Sequence, residues 1–276
     1  MDEFEPCTFE GLRLLRAVDV SCRVGLVLQR VVRVSTFAGL LGLAVYGVRG
    51  WAQEVDRPGG VGGVRSFGIS TSYSPDSSHI LIGEADQRRT WTLGVEYTHL
   101  LHLNPHYRLD FEGSLTPFYL ESDPDVTASI YTTGGRSYIT QQTPVRVLSI
   151  NHQPLGVVLT GGGKSVPLYA IYGRENTYAA SLAPVGVRVS ALPRWTVQPS
   201  FAIDLGFVVS AHDIPVDLSD QFNYLFAFGP GVQFYTSPRA SLRLEYIYRH
   251  ISNAHQGYQN PGVDQGVFRL TLSRRR

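Results

Sequence analysis

The residues best equipped for chemistry in this 276-residue chain lie between positions 246 and 268. They run Tyr246-Ile-Tyr248-Arg-His250-Ile-Ser252-Asn253 and end on the stretch that holds Asp264. A serine hydroxyl is a poor nucleophile until an imidazole takes its proton. A carboxylate then holds the imidazole in the right tautomer and stabilises its positive charge. His250, Ser252 and Asp264 are of the types needed, and Asn253 could offer a side-chain or backbone N–H to a developing oxyanion. On a strand, His250 and Ser252 share a face, about 6.6 Å apart at roughly 3.3 Å per residue. A hairpin centred near Gly257 sets Asp264 opposite His250. The same residues also suit an ordinary strand end, with Ser-Asn and Asn-Pro-Gly closing a hairpin through an Asx-type turn. Residue types alone leave both readings open.

The elements that must position these groups are written in period two. Trp195, Val197, Pro199, Phe201, Ile203, Leu205 and Phe207 alternate with Thr196, Gln198, Ser200, Ala202, Asp204 and Gly206. Tyr107, Leu109, Phe111 and Leu115 alternate with Arg108, Asp110, Glu112 and Ser114. Leu242, Leu244, Tyr246 and Tyr248 alternate with Arg243, Glu245, Ile247 and Arg249. Such alternation marks strands with two different faces. The polar faces carry small residues and charges of both signs, suited to a narrow hydrogen-bonded lumen. The apolar faces are rich in aromatics near the strand ends, as in an interfacial girdle. Eight segments qualify: about 65–73, 90–103, 106–120, 177–191, 194–210, 221–236, 239–252 and 263–273. The expected fold is all-β, an eight-stranded antiparallel transmembrane barrel, which leaves no edge unpaired in lipid. On that arrangement His250, Ser252 and Asp264 fall on the lipid-facing side of the wall, where polar groups are costly unless they satisfy one another.

Composition agrees. The chain is 43% hydrophobic and 17% charged, with 15 Tyr, 13 Phe and 3 Trp, too apolar and aromatic for disorder. A formal charge of +1 gives no case for nucleic acid. No apolar run of spanning length is present. Both cysteines, Cys7 and Cys22, lie near the N-terminus, so the rest of the chain can form neither a disulfide nor a thiolate site.

Residues 1–52 are expected to be an N-terminal extension and signal segment. Arg30 and Arg33 precede the apolar stretch from Phe37 to Val48, and Gly50-Trp51-Ala52 supplies a small-x-small cleavage site. A valine such as Val24, Val31 or Val32 could be the true start, because the part before Arg30 is long for such a signal. Residues 53–64 are expected as a Gly-rich linker, and 65–276 as the barrel domain. Residues 121–176 break the alternation with Asp-Pro-Asp, Gly-Gly and Gly-Gly-Gly clusters, which predicts a long loop insertion or a hairpin excursion beyond the rim.

Two decoys carry little. Gly163-Lys164-Ser165 lacks the earlier glycine of a phosphate loop, since Val158 stands there. His99 and His102 are expected on opposite strand faces, unable to share a metal without a bend.

His-x-Ser-Asn-Ala followed by Asn-Pro-Gly-x-Asp resembles the signature of the lipid A 3-O-deacylase family, the PagL-type, acyloxyacyl hydrolase-like outer-membrane enzymes. Pro184-Val-Gly186, Gln198-Pro199, Ile214-Pro215, Phe222-Asn223 and Gly229-Pro-Gly231-Val-Gln233 extend the likeness. It implies an eight-stranded barrel with its active site on the outer face and no cofactor or metal. Ser252 then matches the nucleophile, His250 the base, Asp264 the acidic member and Asn253 the oxyanion contributor. The implied activity is a carboxylic ester hydrolase that removes a 3-O acyl chain from lipid A or lipopolysaccharide, in the outer membrane of a Gram-negative-type cell. Its partners would be that substrate and outer-membrane lipids, with no nucleic acid and the question of a homodimer open. Two departures stand out: well-known members have Glu where this chain has Asp264, and the C-terminus is Arg-Arg-Arg rather than aromatic. The rival readings are a catalytically inactive structural or adhesive outer-membrane barrel, and a soluble secreted barrel that binds lipid inside.

Overall fold

The computed structural model describes residues 64–275. The expectations for a signal segment in 1–52 and for the start codon lie outside the described residues, as does nearly all of the linker. Ten antiparallel strands follow in chain order: β1 (Arg65–Ser74), β2 (Arg89–Leu103), β3 (Tyr107–Thr133), β4 (Arg136–Arg146), β5 (Gly156–Leu159), β6 (Ser165–Ala191), β7 (Val197–Ile214), β8 (Asp220–Ser237), β9 (Ala240–Ser252) and β10 (Val263–Arg275). Sequence neighbours pair, except β4 with β5, and in addition β1 pairs with β10 and β3 with β6. Those contacts close a ring of eight strands, β1, β2, β3, β6, β7, β8, β9 and β10. Every expected strand segment overlaps one of them, with ends that differ by up to a few residues, as at β7, which starts at Val197 rather than 194.

The wall is inside out. Phe67, Ile69, Leu93, Val95, Phe201, Ile203, Leu205, Leu244 and Leu272 are exposed on the outside, while Glu96, Arg108, Glu112, Arg188, Arg243 and Glu245 are buried within. A soluble barrel carrying lipid in its lumen needs the opposite arrangement. An exposed apolar belt on a closed antiparallel ring is the membrane solution, because every backbone group is paired within the wall. No described helix is long and apolar enough to cross a membrane.

The lumen is filled, not open. Glu245 receives Arg188 at 2.6 Å, Arg243 at 3.0 Å and Arg269 at 2.6 Å. Glu112 joins Arg188 and Arg243, Glu96 joins Arg243, and Asp204 lies 3.2 Å from Arg269. Next to this network sits an apolar layer of Val208, Leu225, Ala227, Ile247, Ile251 and Val267, with Tyr119. A cavity of about 60 Å³ between polar and apolar linings has room for only a few waters. Breaking a buried ion network from one side strands the remaining charges. Glu245→Ala is therefore expected to destabilise the barrel by about 3–5 kcal/mol, measured by equilibrium urea unfolding from phospholipid vesicles.

The two rims differ. The β2–β3, β6–β7 and β8–β9 connections are tight, and the described chain begins and ends at that same rim. The other rim carries the β1–β2 loop, the β3–β6 excursion, the β7–β8 turn and the β9–β10 loop. Outer-membrane barrels place short turns on the periplasmic side and long loops outside. The long-loop rim is thus the outer-leaflet end, and His250, Ser252 and Asp264 lie there.

Of the two forms expected for residues 121–176, the hairpin excursion is the one present, and it is mostly ladder rather than long loop. β3 runs on to Thr133 and β6 starts at Ser165, paired from Ser122↔Asn176 to Tyr131↔Leu168, with β4 and β5 added at the flanks. Val126, Ile130 and Tyr131 pair with Tyr172, Tyr169 and Leu168 across this ladder, and such β-prone pairs are enough to carry the strands past the rim. Gly134 and Gly135, with φ of 57° and 72°, form the two-residue β3–β4 turn that such a hairpin requires. A second difference concerns the histidines. An irregularity between Leu100 and His102 sets His99 opposite Phe111 and His102 opposite Leu109. Both therefore face outward, because one extra residue shifts the parity of everything beyond it. Among the described residues no group of His, Cys, Asp or Glu is arranged to hold a metal.

Candidate active site

Strand parity delivers the site. In β9, Arg243, Glu245, Ile247, Arg249 and Ile251 turn inward, so His250 and Ser252 turn outward, at the end of the strand. The β9–β10 ladder runs in the expected register, Asp264 opposite His250 and Leu272 opposite Leu242. His250 Nδ1 and Asp264 Oδ1 are 2.7 Å apart. Aspartate, one methylene shorter than glutamate, thus touches the imidazole directly across the strand pair.

Asp264 points outward yet is fully buried. What covers it is the β1–β2 loop, a segment that strand alternation does not mark. Ser77 bridges to Gln265 and Ser78 N–H donates to the Asp264 carbonyl at 3.0 Å. Farther along, Glu84 N–H reaches the Pro261 carbonyl at 2.7 Å and Ala85 N–H the Gly262 carbonyl at 3.1 Å. Between these anchors the chain turns two amides inward. Leu81 N–H and Ile82 N–H both donate to Asp264 Oδ2, at 2.6 and 2.9 Å. Tyr248 Oη–H donates to Asp264 Oδ1 at 2.8 Å. The carboxylate is thus satisfied on both oxygens, the condition for burying a charge.

Two glycines permit this closeness. A Cβ on Gly83 would lie 2.5 Å from the Asp264 backbone nitrogen and 2.9 Å from its carboxyl carbon. Gly262, with φ +61°, lies so near the imidazole that a Cβ there would meet His250 Cε1 at 2.9 Å. Any side chain at either position would separate the acid or the base from its support.

The other two expected members stand differently. Ser252 is half-buried, shares the outward face with His250, and pairs with Tyr224 of β8. No hydrogen bond ties its hydroxyl among the described residues, which leaves the hydroxyl free for a substrate-dependent contact; such bonds often close only when substrate is bound. Asn253 is committed to the loop. Its backbone N–H goes to Asn260 Oδ1 at 3.1 Å, its side-chain amide donates to the Gln259 carbonyl at 2.7 Å, and its Oδ1 accepts His255 N–H at 2.9 Å. It is also buried. The expected oxyanion contact from its backbone N–H is therefore not on offer, and the side chain works first as the strut of the β9–β10 turn.

Around the site the outer wall is aromatic. Phe222 stacks with Phe207 and meets Tyr224 edge-on, while Phe228 contacts Phe226 and Tyr248. Tyr224 and Phe226 are exposed beside Ser252 and His250, their partners across the ladder. His250 and Ser252 therefore lie beside an apolar outer surface, with Asp264 buried behind His250.

Residues 168–273 match a family model described as lipid A 3-O-deacylase (PagL), the family that the 246–268 motif resembles. The match holds His250, Ser252, Asn253 and Asp264 and stops short of the β1–β2 loop. No curated protein matches the chain. Among solved structures the chain is similar to Neisserial surface protein A (NspA), with 9% identity over 78% of this chain and 98% of that one at a TM-score of 0.43. It is similar to the outer membrane enzyme PagL, with 12% identity over 74% and 97% at 0.43. It is also similar to the outer membrane protein OprG from Pseudomonas aeruginosa, with 10% identity over 79% and 98% at 0.38. The closed ring and its apolar exterior make this an outer-membrane β-barrel.

Proposed function

We propose that the protein is a serine ester hydrolase of the outer leaflet, removing an ester-linked acyl chain from lipid A or lipopolysaccharide, at the 3-O position. Ser252 is the nucleophile, His250 its base and Asp264 the acid that orients the base. The observation that carries this reading is the His250–Asp264 contact, 2.7 Å long, on the lipid-facing side of the wall. A structural strand end has no need of a fully buried carboxylate there, given the cost of placing a charge beside lipid. The family match over 168–273 supports lipid A as the substrate class.

The steps follow from the residues. With Nδ1–H held by Asp264, His250 presents Nε2 as base and takes the Ser252 proton as Oγ attacks the acyl carbonyl. The C–O bond to the sugar then breaks, and the imidazolium returns the proton to the departing alkoxide. Water, deprotonated by the same imidazole, cleaves the acyl-serine and releases the fatty acid. The leaflet supplies most of the apolar surface around the acyl chain, so the protein needs only to present the nucleophile at the depth of the ester.

Expression in a lipopolysaccharide-producing host tests this. Lipid A from cells with the inserted wild-type protein is expected to lose the mass of one acyl chain by mass spectrometry, while cells with His250→Ala keep it. Identical acyl patterns with both, at equal insertion, would overturn the reading in favour of an inert barrel.

A further inference from the structure

We propose that Tyr248 and the segment from Ser77 to Ala85 are positioning groups for Asp264, a strap that holds the acid in line with His250 from outside the barrel wall. The proposal rests on the reading of His250, Ser252 and Asp264 as catalytic. It goes further by assigning a role to Tyr248 and to a loop, 77–85, that lies outside the matched family span.

Strand geometry alone does not fix a carboxylate. Asp264 has two side-chain torsions, and on an open lipid-facing wall it could swing away from the imidazole. Four donors converge on it instead: two strap amides on Oδ2, and Tyr248 and His250 on Oδ1. With Oδ2 clamped, the plane and reach of Oδ1 are set. The strap is itself held on both sides of the clamp, by Ser78 to Asp264 and by Glu84 and Ala85 to Pro261 and Gly262. Its fit is tight enough that Gly83 has no room for a methyl group. The fit also suits aspartate: an extra methylene at 264 would press on the strap that closes over it. Ile80, Leu81 and Ile82 are exposed, because amides turned inward on the acid send the side chains out toward lipid.

Tyr248→Phe removes one hydroxyl and keeps the ring against Phe228. Gly83→Ala lifts the strap. Each is expected to lower kcat about tenfold, the scale of one hydrogen bond to a charged group, with KM changed less than twofold. Each is also expected to shift the low-field Nδ1–H proton resonance of His250 in detergent-solubilised protein, a signal that a purely structural role would leave in place. Heat-modifiable migration on gels reports the folded barrel, and if Gly83→Ala fails to fold, Tyr248→Phe carries the test. Unchanged kcat and an unmoved resonance in Tyr248→Phe, with Ser252→Ala inactive in the same assay, would overturn the positioning role alone. Activity surviving in Ser252→Ala would instead overturn the catalytic reading beneath it.

Discussion

Ser252→Ala is expected to abolish deacylation, with a loss of at least about 10³-fold and up to the ~10⁶-fold seen when the nucleophile of an assembled triad is removed. The barrel is expected to stay intact. The Ser252 hydroxyl makes no hydrogen bond among the described residues and sits half-buried at the last position of β9, so it contributes little to folding. A serine-to-alanine change on a strand end costs a few tenths of a kcal/mol at most, on the ~1 kcal/mol span of strand preferences. Function and stability therefore separate at this position. The measurement is fatty-acid release from lipid A in mixed micelles, alongside the unfolding midpoint; equal rates for wild type and variant would remove Ser252 from the mechanism.

Asp264→Asn is expected to cost about 10³–10⁴-fold in kcat, as loss of the carboxylate does where an aspartate fixes the tautomer of a catalytic histidine. The reason here is a count of donors. The carboxylate accepts from two amides on one oxygen and from a phenol and an imidazole on the other. An asparagine must turn its NH₂ toward one of those pairs. Facing the strap, it sets N–H against two backbone N–H groups and loosens the loop. Facing the imidazole, it forces the proton onto Nε2, the nitrogen that must accept from Ser252. The second orientation disables the base, while the first leaves the imidazolium without a countercharge and opens the strap, which faster proteolysis within residues 77–85 would report. A rate within tenfold of wild type would show that the carboxylate is dispensable.

Much of this was legible from residue order. Alternation located all eight barrel strands, and hairpin symmetry about Gly257 put Asp264 across from His250, because antiparallel register is arithmetic once the turn is known. The inverted facing was legible as well: mixed charges such as Arg243 and Glu245 cannot face lipid. What stayed hidden depends on the main chain. The donors at Leu81 and Ile82 are backbone N–H groups, which every residue but proline owns, so no residue type announces them. The commitment of Asn253 to its own turn could not be separated from an oxyanion role by type, since the same amide serves both. The outward placement of both His99 and His102 follows from one irregularity at the end of β2, and parity reasoning assumes none. The excursion beyond the rim was legible only as one of two alternatives, because glycines and prolines signal a loop as readily as the hairpin turn that Gly134 and Gly135 make.

The outward opening of the site has a consequence for how the protein must be assayed. On the proposed function, substrate would arrive by lateral diffusion within a single leaflet, and both products would depart the same way. The variable that sets the rate is therefore the mole fraction of substrate among its neighbouring lipids, not its amount per volume of buffer. Adding inert lipid at constant total substrate should slow turnover through surface dilution. Released fatty acid, retained in the same film, should compete for the wall beside Tyr224 and Phe226 until something carries it away.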